Sequence, residues 1–389
     1  MLTQQGCQSR QQRLWDAVSA ETEWLLVADP RHVLYLSNFL VNPLSFSGGE
    51  RGILLLRRGG ATTLIADNFS RRSSVSEPFV DDVVEYAWYD HKKSVINRDH
   101  ALFEALDDAM STVGDGPGLV EGEWLPIGTV PIFDGDTNCA VDEEADQGTP
   151  FSDIGTALRH LRRSKEADEL DIMRRCMRGG EAGQAKLREI LKPGITELEI
   201  YLEVQHAALT AAGCPGLVYG DFRATNPTKP KVGGAPTDYA LSQGDLFILD
   251  YSVVISGYRS DFTNTLSVGP PSAEVETMFA LCQTAMARAE ATLKAGAQAK
   301  DVHAAAHSPF VEAGRPELFT HHAGHGLGLA HPEAPILTPE STDVLVAGDV
   351  VTIEPGAYQA GIGGMRIEHN YLITETGYER LSNHKISLT

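Results

Sequence analysis

Basic residues are in short supply: 32 Lys and Arg stand against 53 Asp and Glu, a formal net charge of −21. A chain this acidic repels nucleic-acid phosphates and anionic lipid, so neither is expected as a partner. Paired cysteines are missing too. The five, at 7, 139, 176, 214 and 282, are odd in number, lie far apart and form no CxxC. That pattern points to free thiols in a reducing compartment, here read as cytoplasmic. No apolar run approaches the roughly 18–20 residues that span a bilayer, and the opening MLTQQGCQSRQQRLWDAV has no apolar signal core. Tandem repeats and low-complexity tracts are absent as well. What is present is an ordinary apolar share, 42% of 389 residues. That is enough to build a core and, at roughly 100–200 residues per domain, two domains.

Residues 1–150 alternate short strands and helices and read as one α/β domain. Gln11 to Ser19 suits a helix, and Trp24 to Ala28 a strand stopped by Asp29-Pro30. Gly52 to Leu56 and Ala61 to Ala66 flank an Arg-Gly-Gly turn, and Asp99 to Thr112 suits a second helix. The polar stretch Asp142 to Asp153 is the expected boundary with a second domain, 151–389. From Ile154 to Met177 a helical stretch carries Arg162, Arg163 and Lys165 beside acids three or four residues on, as on a solvated helix face. Thr196 with Glu199 three later reads as a capping box. Strands return at Asp245 to Val254 and Tyr258 to Val268, a helix at Ala273 to Lys294, and strands again at Val350 to Tyr358 and Met365 to Thr374.

Those strand pairs carry the chemistry. Asp250 and Asp261 are equidistant from a point inside Ile255-Ser256-Gly257, and Glu354 and Glu368 are equidistant from Gly361. In regular hairpins each pair faces across the strands, among apolar neighbours such as Ile248, Phe262, Ile353 and Ile367. Like charges placed so destabilise a sheet, and burying them is costly without cations. A register slip of one or two residues, or one acid of each pair turned to solvent, is the alternative. The run His321-His322-Ala323-Gly324-His325-Gly326-Leu327-Gly328 adds imidazole among glycines. Four carboxylates and one imidazole suit two hard-to-borderline divalent ions such as Mn, Co, Fe or Zn.

Five ordered motifs, GDLFILD at 244–250, SDFTNT at 260–265, HHAGHGLGL at 321–329, IEPGAY at 353–358 and GMRIEH at 364–369, resemble the metal-site motifs of the creatinase/aminopeptidase P/prolidase family, the pita-bread metallopeptidases. LRRSKEADELDIMRR at 161–175 resembles the helix that opens the family's catalytic domain, and DPRHVLYLSNF at 29–39 more loosely its N-terminal domain. The resemblance implies an α/β (α+β) fold with a creatinase-like N-terminal domain and a C-terminal pita-bread domain. It implies two divalent metals, Mn foremost, on Asp250, Asp261, His325, Glu354 and Glu368, with Glu354 also moving the proton. It gives His321 a contact with the substrate in its tetrahedral state and Arg366 the orienting of carboxylates beside the substrate. A homodimer is the expected assembly, and Trp88 to Lys93 a segment that caps a neighbour's site or, more plainly, an exposed strand end.

The chain also departs from the pattern. Proline-specific members carry a histidine 17 residues before the first aspartate, where Gly233 stands here. In GHGLGLAHPEAP, Pro332 takes the place of another family histidine and His331 lies one residue early; His331 is the candidate substitute. The expected activity is hydrolysis of a peptide C–N bond in a small substrate, as an Xaa-Pro aminopeptidase or dipeptidase. The alternatives are a non-peptidase enzyme on the same metal scaffold, which Gly233 and Pro332 favour, and a binding module with a vestigial site.

Overall fold

The computed structural model describes residues 1–41, 50–133, 139–140 and 153–389. Its contacts divide the chain into two units, Met1–Arg162 and Arg163–Thr389. Of the expected boundary, Asp142 to Asp153, only Asp153 is among the described residues, and it caps a helix of the first unit.

The first unit has helices α1 (Gln4–Ala17), α2 (Pro30–Ser37), α3 (Asn68–Arg72), α4 (Arg98–Met110), α5 (Val130–Phe133) and α6 (Ile154–Leu161). Strands β1 (Trp24–Val27), β2 (Gly52–Arg57), β3 (Thr62–Asp67), β4 (Asp82–Tyr86), β5 (Gly118–Val120) and β6 (Cys139–Ala140) form one mixed sheet in the order β4-β3-β2-β1-β5-β6. The β2–β3 hairpin is the one read from the sequence. Helix α1 starts earlier than the apolar pattern suggests because Thr3 caps it, its side chain accepting from the Gly6 amide. Asp29 ends β1 by capping α2, with Pro30 in the first turn, where its missing N–H costs nothing. Helix α4 lays Ala101, Leu102, Ala105, Leu106 and Ala109 on the sheet at helical spacing. Within Trp88 to Lys93, Asp90 accepts from the Lys92 and Lys93 amides, and the Trp88 ring packs on Phe69 and Arg98.

A buried cluster closes the end of β1. Glu121 accepts the Ala28 and Asp29 amides on one oxygen, both at 2.8 Å, and meets His32 Nδ1 with the other. Asp29 takes the Arg31 amide at 2.8 Å and its guanidinium through both oxygens.

The second unit has helices α7 (Ala167–Ile190), α8 (Glu197–Ala212), α9 (Ala273–Glu290) and α10 (Ala299–Glu312). Strands β7 (Leu217–Thr225), β8 (Leu246–Ile255), β9 (Tyr258–Arg259) and β10 (Phe262–Ser267) form one sheet, with β8 between β7 and β10. Strands β11 (His325–Gly326), β12 (Glu333–Ile336), β13 (Val350–Ile353), β16 (His369–Ile373) and β17 (Tyr378–Arg380) form a second, and β14 (Gly356–Gln359) pairs with β15 (Gly363–Arg366). Helices α9 and α10 bury Met278, Cys282, Ala285, Val302 and Phe310 in one core with Val351, Ile353 and Ile367. The capping box of Thr196 and Glu199 opens α8: the Glu199 amide donates to the Thr196 hydroxyl at 3.1 Å, and the Thr196 amide donates back at 2.8 Å.

The helical stretch read over 154–177 is two helices. Glu166 restarts the chain, its amide bonded to the Glu169 carboxylate at 2.8 Å. Between the helices the basic residues are buried, not spread on a solvated face. Arg163 pairs with Asp349 at 2.7 Å and Lys165 with Glu333 at 2.9 Å. Helical spacing alone did not reveal this, because the acids that answer these cations lie far along the chain.

Candidate metal centre

Strand β8 is buried apart from Asp250 and Val254 and carries only Asp250 as a charged residue, so its one carboxylate is placed by the strand's period of two. Its hairpin turns through only Ser256 and Gly257, at φ 50° and 82°, the left-handed pair that a two-residue turn demands. That turn shifts the register from the symmetric expectation. Asp250 faces Thr263 rather than Asp261, and Asp261 sits just before β10, on the same face two residues earlier. Its main chain is fixed by Asn370, whose side-chain oxygen accepts the Asp261 amide at 3.2 Å and whose amide group donates to the Asp261 carbonyl.

The second hairpin has the register that symmetry about Gly361 predicts. Ile353 pairs with His369, and Gly356 with Arg366. The long strands are broken between those pairs, and Glu354 and Glu368 stand opposite each other in the break. Glu368 is fully buried; the Thr263 hydroxyl donates to Oε2 at 2.7 Å, while Oε1 has no partner among the described residues. The Glu354 Oε1 atom accepts from the Thr352 hydroxyl at 3.1 Å.

The histidine run enters the same space. A side chain at Gly324 would put its Cβ 2.0 Å from the Thr352 carbonyl oxygen, and φ there is 153°, so only glycine lets β11 lie this close to β13. His325 Nδ1 faces the Gly326 carbonyl at 2.9 Å, which assigns the proton there. Nε2 is left as a lone pair 3.5 Å from Asp261 and 3.4 Å from Glu354. His321 Nδ1 bonds the His322 carbonyl at 2.7 Å, and its Nε2 faces the Tyr358 hydroxyl at 3.3 Å. His331 Nε2 reaches Asp261 at 2.7 Å. Arg366 ties Asp250 to Asp221 (3.2 Å) through Nη2 and holds the Tyr358 hydroxyl (3.1 Å) through Nη1.

The electrostatics are unbalanced. Burial pushes the Glu368 carboxyl well above the usual carboxylate range, and the charges of Asp261, Glu354 and Asp250 push the same way. Burial raises Asp250 too, against the opposing Arg366 charge. Burial also acts on Asp261, but the His331 hydrogen bond and the His331 and His325 charges outweigh it and hold this carboxyl low. Burial pushes His321 down to about 4. For His331 burial is outweighed by the bond to Asp261, and its pKa is raised. Potential ligand atoms of Asp250, Asp261 and Glu368 lie within 4.8 Å of one another, as do those of Asp261, His325 and His331, and of His321, His322 and Glu354. A partnerless buried Glu368 oxygen, crowded carboxylates and an imidazole lone pair aimed at them suit divalent cations. The donor set, carboxylate oxygen with imidazole nitrogen, fits Mn, Co, Fe or Zn.

All the site residues named from the sequence therefore converge: Asp250, Asp261, His321, His325, His331, Glu354, Arg366 and Glu368. Gly233 lies beside Asp221, whose Oδ2 would be 3.0 Å from a Cβ there. Three neighbours were not singled out. His322 lies in the histidine run and Tyr358 ends the IEPGAY motif, so both had a sequence signal. Asp221 had none, because only the β7–β8 pairing sets it opposite Asp250.

The fold and this cluster define a pita-bread protein with the makings of a metal-dependent hydrolase. Metallopeptidase family M24 matches residues 171–375. An uncharacterized peptidase of Staphylococcus saprophyticus is 30% identical over 368 residues, 94% of this chain and 96% of that protein. The prolidase from Pyrococcus horikoshii has the same fold, with a TM-score of 0.76 and 23% identity over 98% of this chain and 100% of that one. So has the Xaa-Pro dipeptidase from Bacillus anthracis, with a TM-score of 0.76 and 22% identity over 98% and 99%. The chain belongs to metallopeptidase family M24. Among the described residues no helix is long and apolar enough to cross a membrane.

Proposed function

We propose that this protein is an exopeptidase that hydrolyses the C–N bond of small Xaa-Pro peptides with two divalent metals, held by Asp250, Asp261, His325, Glu354 and Glu368. The observation that carries this reading is the buried Glu368 carboxylate, one oxygen of which no group among the described residues answers, amid three further acids. Bound there, divalent ions would supply Lewis acidity at the scissile carbonyl and a water acidified towards neutrality.

The chain's own groups do the rest. Glu354, beside His325 and His322, is placed to accept a proton from the attacking water and deliver it to the leaving nitrogen. His321 and Tyr358 form one hydrogen-bonded unit beside Glu354, suited to meet charge developing on the carbonyl oxygen. With Nδ1 committed to a backbone carbonyl, the His321 ring is held in one orientation. Arg366 fixes the directions of Asp250 and Tyr358. His331, which touches Asp261, takes the substrate-facing role of the family histidine that Pro332 displaces. Mn as the metal and a homodimer complete the reading; both rest on the resemblance, and elemental analysis and sedimentation test them.

The deciding experiment is an activity screen of metal-reconstituted protein against Xaa-Pro dipeptides, longer Xaa-Pro peptides and non-proline amides. Two bound metals without hydrolysis of any Xaa-Pro peptide would favour the second reading, a non-peptidase enzyme on the same five ligands. Gly233 and Pro332 support that second reading, since both stand where proline-specific members carry histidines. Protein that takes up no divalent metal would point instead to a binding module.

A further inference from the structure

Strand β7 sets Asp221 directly across from Asp250, on the face of the sheet that also carries Thr263. Among the described residues, Asp221 nevertheless belongs to none of the clusters that could close on an ion. Its side chain is 32% exposed. Oδ1 accepts the Gly234 amide at 2.5 Å, and Oδ2 accepts from Arg366 at 3.2 Å. A carboxylate has about four acceptor positions, so about two stay open.

Those positions open on a cavity of about 710 Å³. Asp250, Asp261 and His331 form its metal side, and Tyr201 and Tyr219 line it as well. Neither Lys nor Arg is among its lining residues, and a guanidinium that reaches its wall, Arg259, is engaged in donating to the Tyr219 hydroxyl at 2.7 Å. A carboxylate can only accept hydrogen bonds, and tyrosine ring faces attract cations. A side chain at Gly233 would bring its Cβ to 3.0 Å from Asp221 Oδ2, so the glycine leaves the space beside this carboxylate clear.

We propose that Asp221 is a specificity-determining residue that binds a cationic side chain, ammonium or guanidinium, on the substrate, so that the enzyme prefers peptides with Lys or Arg next to the scissile bond. The proposal rests on the peptidase reading of the neighbouring metal site. A charge-assisted contact of this kind gives a preference of about 10-fold or more over a neutral isostere. The preference should fall mainly on KM, because the cation is bound equally in the ground and transition states.

The test uses the full-length, metal-loaded protein and matched dipeptides in which lysine is exchanged for norleucine, on either side of the scissile bond, with and without proline. In the wild type the lysine-to-norleucine ratio of kcat/KM should be about 10 or more at one of the two positions. Asp221→Asn should bring that ratio close to one, and Asp221→Glu should restore part of it. In parallel, calorimetry compares the binding of lysinamide and norleucinamide. Tighter binding of lysinamide that is lost in Asp221→Asn supports the proposal even if no dipeptide is cleaved, a result that would count against the peptidase reading alone. Dipeptides cleaved with a ratio near one at both positions, or a ratio that Asp221→Asn leaves unchanged, would overturn the proposal while the peptidase reading stands. A ratio near one joined to a loss of activity on N-acetylation in the wild type but not in Asp221→Asn would also overturn it, by assigning Asp221 to the substrate's own N-terminus.

Discussion

Each unit of this protein buries a cluster of acids and histidine, and the two clusters look alike in composition. In the first unit Asp29, His32 and Glu121 lie within 4.8 Å of one another, all buried. Every carboxylate oxygen there is answered by the chain, through the Ala28, Asp29 and Arg31 amides, the Arg31 guanidinium or the His32 ring. In the second unit Arg366 bonds only Asp250 of the four acids Asp250, Asp261, Glu354 and Glu368, His331 answers Asp261, and an oxygen of Glu368 is left with no partner among the described residues. The difference lies in the accounting of donors rather than in residue type. A cluster whose carboxylates the chain answers holds a fold together, even with His32 Nε2 left without a partner among the described residues, whereas one left short of positive charge is suited to receive it.

The comparison predicts opposite responses to neutralising one acid. Glu368→Gln should lose metal and lower activity by more than about 10³-fold, beyond the cost of a single oxyanion donor. In chelated protein the same change should leave the second unit as stable as before or more so, since it replaces a buried carboxyl whose charged form burial and three neighbouring acids disfavour. Hydrogen exchange of peptides from that unit reads the sign, and clear destabilisation would break the contrast. His321→Ala should lower kcat by about 10²–10³-fold with metal content unchanged. A parallel loss of metal would make His321 a ligand. Removing the His331 contact to Asp261 by His331→Ala should cost about 10–100-fold in metal affinity or activity, read by metal titration and by kcat/KM.

Glu121→Gln should instead destabilise the first unit by about 1–3 kcal/mol, whether or not metal is present. All four tryptophans, at 15, 24, 88 and 124, lie in that unit, so their fluorescence during urea unfolding reports on it alone. The smallest effect is one of pH. Burial raises the Asp29 carboxyl, but its bonds to Arg31 and the His32 charge bring it below the ordinary range. Its contribution is complete above the unfolded carboxyl pKa of about 3.9 and is lost as pH falls through the lower folded value. Glu368 has the other sign. With its folded value raised, chelated protein should lose stability as pH rises above the unfolded value of about 4.3. Metal should abolish that slope in the second unit and leave the first unit's acid limb unchanged.

How much of this was legible in the sequence depended on where each determinant lay. The Glu354–Glu368 pairing could be read because both glutamates flank one turn and the register is symmetric about Gly361. Symmetry about the turn predicts Asp250 and Asp261 opposite each other, but a two-residue turn at Ser256 and Gly257 puts Thr263 in that place. The histidine run was visible as a motif, yet the tautomer that aims His325 Nε2 at the acids depends on a backbone carbonyl. Asp221, and the acids that draw Arg163 and Lys165 inward, were hidden because strand order brings distant segments together. Local pattern fixes elements and caps; which polar group answers which is decided by the whole chain.

The turn at Ser256 and Gly257 has a consequence for how the hairpin can vary. Side chains near its tip are free to change, but the residue count between the turn and Asp261 is not. A single residue inserted into the strand between the turn and Asp261 would send Asp261 to the opposite face of the sheet, since faces alternate residue by residue. A residue added within the turn itself can be taken up by a longer loop, so the paired strand, more than the loop, acts as a ruler for the carboxylates.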